Sequence, residues 1–277
     1  MPGTGADSAS HDGTPQASPE SIRDKAAELA RLHRDPALLT VVNVWDVITA
    51  KVVAQVEGTT ALATASHSIA ASWGYEDGEN IPRDLMLENV ARIVSATDLP
   101  VTADLEGGYG DAAETVRRAI GVGAVGANIE DQLRPLPEAA RHVEAIMRVA
   151  EQEGVEFQLN ARTDAYHANP ERDPEENLAE AIVRCTAYLD AGAPVVFVPG
   201  RTVSEEHVAA LVDALGPQRL TLIGVPGSAP LGRLEELGVA RVSYGPLSQN
   251  VALTALQQLV EDVHRGGGVP SSMRVLN

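Results

Sequence analysis

The chain has 277 residues, 44% of them hydrophobic and 22% charged, which is enough for one large core and excludes a disordered chain. Its 39 acidic against 21 basic side chains give a net charge of −18, which excludes nucleic acid and anionic membrane as expected partners. The single cysteine, Cys185, excludes an internal disulfide and a four-cysteine zinc site.

Aromatics are only 3% of the chain, so the core must come from Ala, Val, Leu and Ile. No apolar run reaches the length of a membrane span, and the N-terminus lacks a hydrophobic signal core. A reduced, cytoplasmic setting is the expectation. An anionic substrate would need local positive charge against the negative global field, such as a metal with one or two arginines.

Residues 1–20 are rich in Gly, Pro, Ser and Asp and read as a disordered tail, and residues 265–277 read as a flexible one. Between them, 21–264, short apolar runs alternate with helical patterns. The first run is Leu38 to Asn43, with a helix from Val47. The second is Ala61 to Thr64, followed by a long loop and a helix from Arg83. The third is Val101 to Asp104, with a helix from Ala112. The fourth is Val125 to Glu130, with a helix from Glu138. The fifth is Phe157 to Arg162, with a helix from Pro174. The sixth is Val195 to Pro199, with a helix from Ser204. The seventh is Leu220 to Val225, with a short helix near Leu231. The eighth is Val239 to Tyr244, with a last helix from Leu247 to His264. Runs this short and apolar are strands buried on both faces. Asp111, Asp173 and Ser204 cap helix entries, and Gly58, Gly123, Gly192 and Gly238 stop helices before strands. Eight such units predict an α/β fold, a closed (β/α)₈ TIM barrel. No glycine-rich fingerprint follows the first strand, which weakens a dinucleotide-binding open sheet.

In such barrels the chemistry sits where the strands end. The third and fourth strands concentrate carboxylates there: Asp104, Glu106 and Glu130. The two-residue spacing predicts Asp104 and Glu106 on one side, aimed at the mouth. Converging carboxylates without cysteine or paired histidines point to a hard cation, Mg²⁺ or Mn²⁺, against the plainer alternative of a salt-bridge network with Arg162. Arg162 has the fork to grip a substrate carboxylate, or it neutralises Glu130. Gly107 and Gly108 allow close approach of backbone to a ligand. Ser66 and its neighbours offer backbone N–H groups to an anion. His67 is an acid–base candidate near neutral pH. Trp45 and Asn160, also at strand ends, complete the candidate substrate-binding set.

Four segments, in order, carry a resemblance: Ala65 to Tyr75 (ASHSIAASWGY), Thr102 to Gly110 (TADLEGGYG), Ala127 to Gln132 (ANIEDQ) and Asn160 to Ala165 (NARTDA). Together the chain resembles the isocitrate lyase / phosphoenolpyruvate mutase superfamily over about residues 20–264. The resemblance implies that Asp104 is the main metal-binding aspartate, with Asp77, Glu106 and Glu130 held to the metal through water. Glu106 stands where many members have aspartate. It further implies that Arg162 contacts the substrate carboxylate, that Ser66 and His67 receive a carboxylate or phosphonate oxygen, and that a last helix swaps between partners of a homodimer or homotetramer. Two departures matter. The fourth strand runs straight into a helix without the Lys-Lys-Cys-Gly-His lid of true isocitrate lyases. The Lys-Thr-Asn-Ser of the mutases is missing too, and the position of their histidine falls near Pro199.

The function implied is Mg²⁺-dependent carbon–carbon cleavage or decarboxylation of a small 2-oxo or 2-hydroxy carboxylate through a metal-stabilised enolate. Tyr109 and His67 are the candidates for a base. A phosphonate P–C hydrolase or mutase and a non-catalytic oxo-acid-binding protein are the alternatives.

Overall fold

The computed structural model describes residues 18–276 except 169–170 and 201–202. The proposed tail over residues 1–17, and Arg201 at the sixth strand end, therefore lie outside the described residues. Pro19 and Glu20 belong instead to a first helix, α1 (Pro19–Arg34), which the sequence reading did not assign. Its signal was present. Ile22, Ala26, Leu29, Ala30 and His33 recur at helical spacing and are all buried, and Ser18 caps the helix by accepting from Ser21 N–H at 3.2 Å.

The strands follow the predicted runs. They are β1 (Leu39–Val41), β2 (Asn43–Val44), β3 (Leu62–Thr64), β4 (Val101–Asp104), β5 (Gly126–Glu130), β6 (Gln158–Arg162), β7 (Val195–Val198), β8 (Leu220–Ile223) and β9 (Arg241–Ser243). All pairings are parallel, in the order β1-β9-β8-β7-β6-β5-β4-β3-β2. The first predicted run is broken at Val42, which is exposed; its first half pairs with β9 and its second with β3. That run therefore closes the ring, and the eight-unit barrel is observed with nine strand segments. Asn43 fastens this seam. Its Oδ1 accepts from Tyr244 N–H and Gly245 N–H at 2.8 Å each, and its Nδ2 donates to Thr64 O at 2.7 Å.

The outer helices are α2 (Val47–Ala54), α3 (Ser66–Ser72), α4 (Arg83–Val94), α5 (Ala112–Gly121), α6 (Leu136–Glu153), α7 (Pro174–Asp190), α8 (Glu205–Leu215), α9 (Leu231–Leu237) and α10 (Leu247–His264). Helices α2, α4, α5, α7 and α10 start where the sequence placed them. Asp46 makes a full capping box with Thr49, and Asp111, Asp173 and Ser204 accept from first-turn N–H groups. The long loop expected after β3 contains α3, so Ser66 and His67 stand in a helical turn rather than an extended loop. The core is aliphatic, with Phe157, Tyr166 and Tyr188 its large rings, and Cys185 is buried in it as expected. Each fully buried Leu, Ile or Val contributes about 1.5–3 kcal/mol, and many such side chains between sheet and helices hold the barrel.

Helix α10 behaves differently from the others. Its first turn is tied to the barrel: Ser248 Oγ donates to Asn43 O at 2.7 Å, and Gln249 Nε2 to Ser68 O and Ser72 Oγ at 3.1 Å each. Gln249 is its one buried residue, while Val251, Leu253, Leu256, Val260 and Val263 are exposed. Residues 265–276 form no helix or strand. No helix among the described residues is long and apolar enough to cross a membrane.

Candidate active site

A cavity of about 270 Å³ opens at the C-terminal ends of the strands. Its wall includes Ser66, His67, Asp77, Asp104, Asn128 and Arg162, which arrive from five chain segments. A larger cleft of about 510 Å³ lies under the opposite end of the barrel, around His33 and Gln158. Its acids, Glu151 and Glu156, lie away from the C-terminal strand ends, and in this architecture that end serves stability.

Asp104 is the last residue of β4. Its N–H donates to Thr64 Oγ1 at 2.9 Å, and its Oδ2 accepts from Ser66 N–H at 3.1 Å and Ser66 Oγ at 2.9 Å. Its Oδ1 has no protein partner among the described residues. Ser66 thus serves to orient the aspartate, and its N–H is already committed to that carboxylate rather than offered to an anion. Asp77 lies on the same cavity wall, in the exposed loop after α3.

Glu106 departs from expectation. The strand ends at Asp104, and Glu106 takes a left-handed backbone, φ 53°, so strand alternation no longer governs it. Its carboxylate turns to Glu79 N–H and to Tyr109 Oη, which donates at 3.2 Å. Burial pushes its pKa up to about 7, against the backbone bond from Glu79, with Asp77 and Asp104 adding like charge. Glu106 is off the cavity wall, as is Tyr109. The Tyr109 phenol holds its proton toward Glu106, and burial and that carboxylate raise its pKa well above the ordinary range, so the phenolate a base would require is disfavoured. Gly107 and Gly108 also sit away from the cavity. A Cβ on Gly107 would stand 2.4 Å from the Gln132 amide, and one on Gly108 2.4 Å from Ala112 Cβ, with φ already at 94°. Gly108 is thus required by the fold of the loop, and Gly107 packs against the flexible end of the Gln132 side chain, so neither serves ligand approach. Trp45 packs against the core beside the cavity and Asn160 lies fully buried beneath it.

Arg162 ends β6 and is held from two sides. Nη1 contacts Glu130 at 2.9 Å; Nε and Nη2 contact Asp164 Oδ1 at 2.8 Å each. Nε–H donates to Asp164, while Nη1 and Nη2 meet the two carboxylates as ion pairs, which leaves guanidinium N–H capacity for a ligand. Burial raises the Glu130 pKa to about 7 although Arg162 pulls it down. The ion pair with Glu130 that the sequence allowed is present, and Arg162 also lines the cavity. Asp164 was not singled out, although it lies two residues beyond Arg162 in the same NARTDA segment. Asp131 braces the floor outside, accepting from Tyr188 Oη at 2.6 Å and Arg184 Nη1 at 3.2 Å. The connection from β5 to α6 is the five residues Asp131–Pro135, with Gln132 and Leu133 both at positive φ, so the short lid read from the sequence is observed. His167, also on the cavity wall, was missed; it follows the NARTDA segment by two residues and carried no motif of its own.

Oxygen donors predominate on the wall, as a hard cation requires. Among the described residues, however, no three His, Cys, Asp or Glu side chains gather as a closed metal cage. The arrangement fits a largely hydrated Mg²⁺ anchored by one carboxylate, since Mg²⁺ keeps several waters, and does not fit four direct carboxylate ligands.

The raised acids have a consequence for stability. A carboxyl with a folded pKa near 7 against about 4.5 unfolded binds more protons when folded between those values, so stability is full below about pH 4.5 and lost as pH rises through 7. The metal-free protein is expected to melt roughly 2–6 °C lower at pH 8 than at pH 5.5 from these two groups. Millimolar Mg²⁺ is expected to restore part of that loss at pH 8. Scanning calorimetry at both pH values, with and without Mg²⁺, checks the sign; a higher midpoint at pH 8 without metal would contradict it.

A parallel barrel with acids and an arginine meeting at its strand C-termini has the architecture of TIM-barrel enzymes. The family model for phosphoenolpyruvate phosphomutase matches residues 29–264. An uncharacterized protein of Mycobacterium tuberculosis (strain H37Rv) is 30% identical over 87% of this chain and 91% of its own. The 2-methylisocitrate lyase of Escherichia coli K12 is 30% identical over 79% and 78% of the two chains. The crystal structure of a candidate phosphonomutase from Burkholderia cenocepacia J2315 superposes with a TM-score of 0.81 at 41% identity, covering 89% of this chain and all of that one. The chain belongs to the phosphoenolpyruvate phosphomutase family, within the isocitrate lyase / phosphoenolpyruvate mutase superfamily, which contains carbon–carbon lyases.

Proposed function

We propose that the protein is a Mg²⁺-dependent (or Mn²⁺-dependent) carbon–carbon lyase or decarboxylase acting on a small 2-oxo or 2-hydroxy carboxylate. The observation that carries this reading is the pairing, on one cavity wall, of Asp104 with an uncommitted Oδ1 and Arg162 with its guanidinium held in place by Glu130 and Asp164. Asp104 would anchor the metal, with Asp77 and Glu130 beside its waters. When bound, the ion would supply Lewis-acid stabilisation of the enolate formed on C–C cleavage.

The chain's own groups do the rest. Arg162, stiffened by Glu130 and Asp164, binds and orients the substrate carboxylate. His67 and His167, both exposed, are the imidazoles on the cavity wall and the candidates there for proton transfer. Decarboxylation of an oxaloacetate-like acid demands least from the short β5–α6 connection, which has no cysteine acid. The likeness to a candidate phosphonomutase favours phosphonate chemistry as a second reading, and a phosphonate that is cleaved or rearranged would decide for it. A binding protein without turnover is the third outcome.

The test is calorimetric titration of oxalate, a mimic of the pyruvate enolate, with and without Mg²⁺, followed by an assay starting with oxaloacetate and branched malates. Binding only with metal, then metal-dependent turnover, is the expected result. Binding without turnover would favour the non-catalytic reading, and no binding in either condition would remove the oxo-acid site.

We further propose a homo-oligomer, a dimer or tetramer, in which α10 packs on a partner barrel. Five exposed aliphatic residues on a helix tied down only at its first turn support this. Sedimentation is expected to show a dimer or larger, and Leu253→Glu with Leu256→Glu to shift it toward monomer; a monomeric wild type would reject the proposal. A cytoplasmic setting remains part of the reading, on the lone buried cysteine.

A further inference from the structure

Arg241 projects into the barrel from β9 and is 1% exposed. The other deeply placed arginines are paired, Arg162 with Glu130 and Asp164, and Arg184 with Asp131 and Glu180. Arg241 has no ion pair among the described residues, and its Nε and Nη1 have no hydrogen-bond partner there. A buried guanidinium left in this state is strongly unfavourable, so its retention calls for a reason beyond packing.

Its single protein hydrogen bond is a long one, Nη2 to Asn128 Oδ1 at 3.5 Å. The same Oδ1 accepts from Asn160 Nδ2 at 2.8 Å, and Asn160 Oδ1 accepts from Thr221 Oγ1 at 2.7 Å. Arginine only donates, so the Asn128 atom that faces it must be oxygen. That fixes the amide, and Asn128 Nδ2 is left without a partner among the described residues, on a cavity wall that also holds Asp104 and Arg162. The carboxylate whose field acts on Arg241 is Asp104.

We propose that Asn128 is a binding residue for the anionic substrate, donating Nδ2–H to one of its oxygens, with Arg241 as the positioning residue beneath it that locks the amide and sets a buried positive charge under the anion. This rests on the oxo-acid reading of the pocket. A fixed cation there favours the acid and opposes a bare divalent cation, so metal and acid bind as a pair. Removing Arg241 therefore has opposite effects on the two, which loss of structure alone would not produce.

The experiment is calorimetry on the full chain, with oxalate at saturating Mg²⁺ and with Mg²⁺ alone, for wild type, Arg241→Met, Arg241→Lys and Asn128→Asp. Arg241→Met is expected to weaken oxalate about tenfold or more while Mg²⁺ alone binds as tightly or tighter. Arg241→Lys recovers most of the loss by keeping the charge. Asn128→Asp, which replaces the donor by a like charge, weakens oxalate about tenfold to hundredfold and tightens Mg²⁺. Unchanged oxalate affinity in Arg241→Met and Asn128→Asp would overturn the inference and leave the oxo-acid reading standing. A parallel loss of both ligands with a lowered thermal midpoint would make Arg241 structural only, and a lysine variant no better than methionine would overturn the role of charge. Failure of the wild type itself to bind oxalate would bring down the reading and the inference together.

Discussion

Asp104→Ala is expected to lower metal-dependent kcat/KM by about a thousandfold or more, and to abolish Mg²⁺-dependent oxalate binding. Asp104 combines three properties found nowhere else on the wall. It ends a central strand, its backbone is fixed to Thr64, and one carboxylate oxygen is held by Ser66 while the other is uncommitted. A carboxylate so fixed anchors a cation at little reorganisation, and no neighbour can replace it. Glu106 is committed to Glu79 and Tyr109, and Glu130 to Arg162. The variant should fold, because Asp104 is only half-buried and its removal frees the Ser66 donors to meet water. Activity within tenfold of wild type, in a protein with an unchanged melting midpoint, would take Asp104 out of the centre.

Arg162→Met is expected to damage both stability and binding. The side chain sits between Glu130 and Asp164, which are 16% and 7% exposed, and its loss leaves two acids facing each other without a cation. Breaking a buried pair in this way costs about 3–5 kcal/mol, or roughly 6–20 °C in the midpoint for a chain of this size. Oxalate affinity at saturating Mg²⁺ should fall about a hundredfold with the loss of the fork. The two effects separate by pH. Without Arg162 the Glu130 pKa moves further above 7, so the acid is protonated at pH 6 and charged only at higher pH. The stability loss should therefore be smaller at pH 6 than at pH 8, while the binding loss persists at both. A destabilisation equal at the two pH values would mean that the acids are not what Arg162 compensates.

Much of the fold was legible because its signals are local. Val47, Arg83, Ala112, Pro174 and Leu247 begin helices where capping residues and apolar spacing said they would. The short β5–α6 connection could be read from the closeness of Glu130 to Pro135 and Pro137. What failed depended on backbone turns and on partners distant in the chain. Nothing local announces that Glu106 leaves the strand in a left-handed conformation, since glutamate rarely adopts one, or that its carboxylate meets Glu79, 27 residues away. Ser66 was read as a donor to ligand because its commitment to Asp104 joins segments 38 residues apart. Asn128 was noted at a strand end and passed over, because its role follows from Arg241, on the far side of the sequence.

The seam at Asn43 bears on how the molecule is made. The side chain that completes the first strand waits for Tyr244 and Gly245, about two hundred residues later, and the two halves of that strand pair with the last strand and the second. During synthesis no chain shorter than about 245 residues can close the ring, and contacts so far apart in sequence form slowly. Until then the acids of β4 and β5 have no enclosing wall. A chain that stops before Tyr244 carries the pocket residues up to Arg162 and still cannot enclose them.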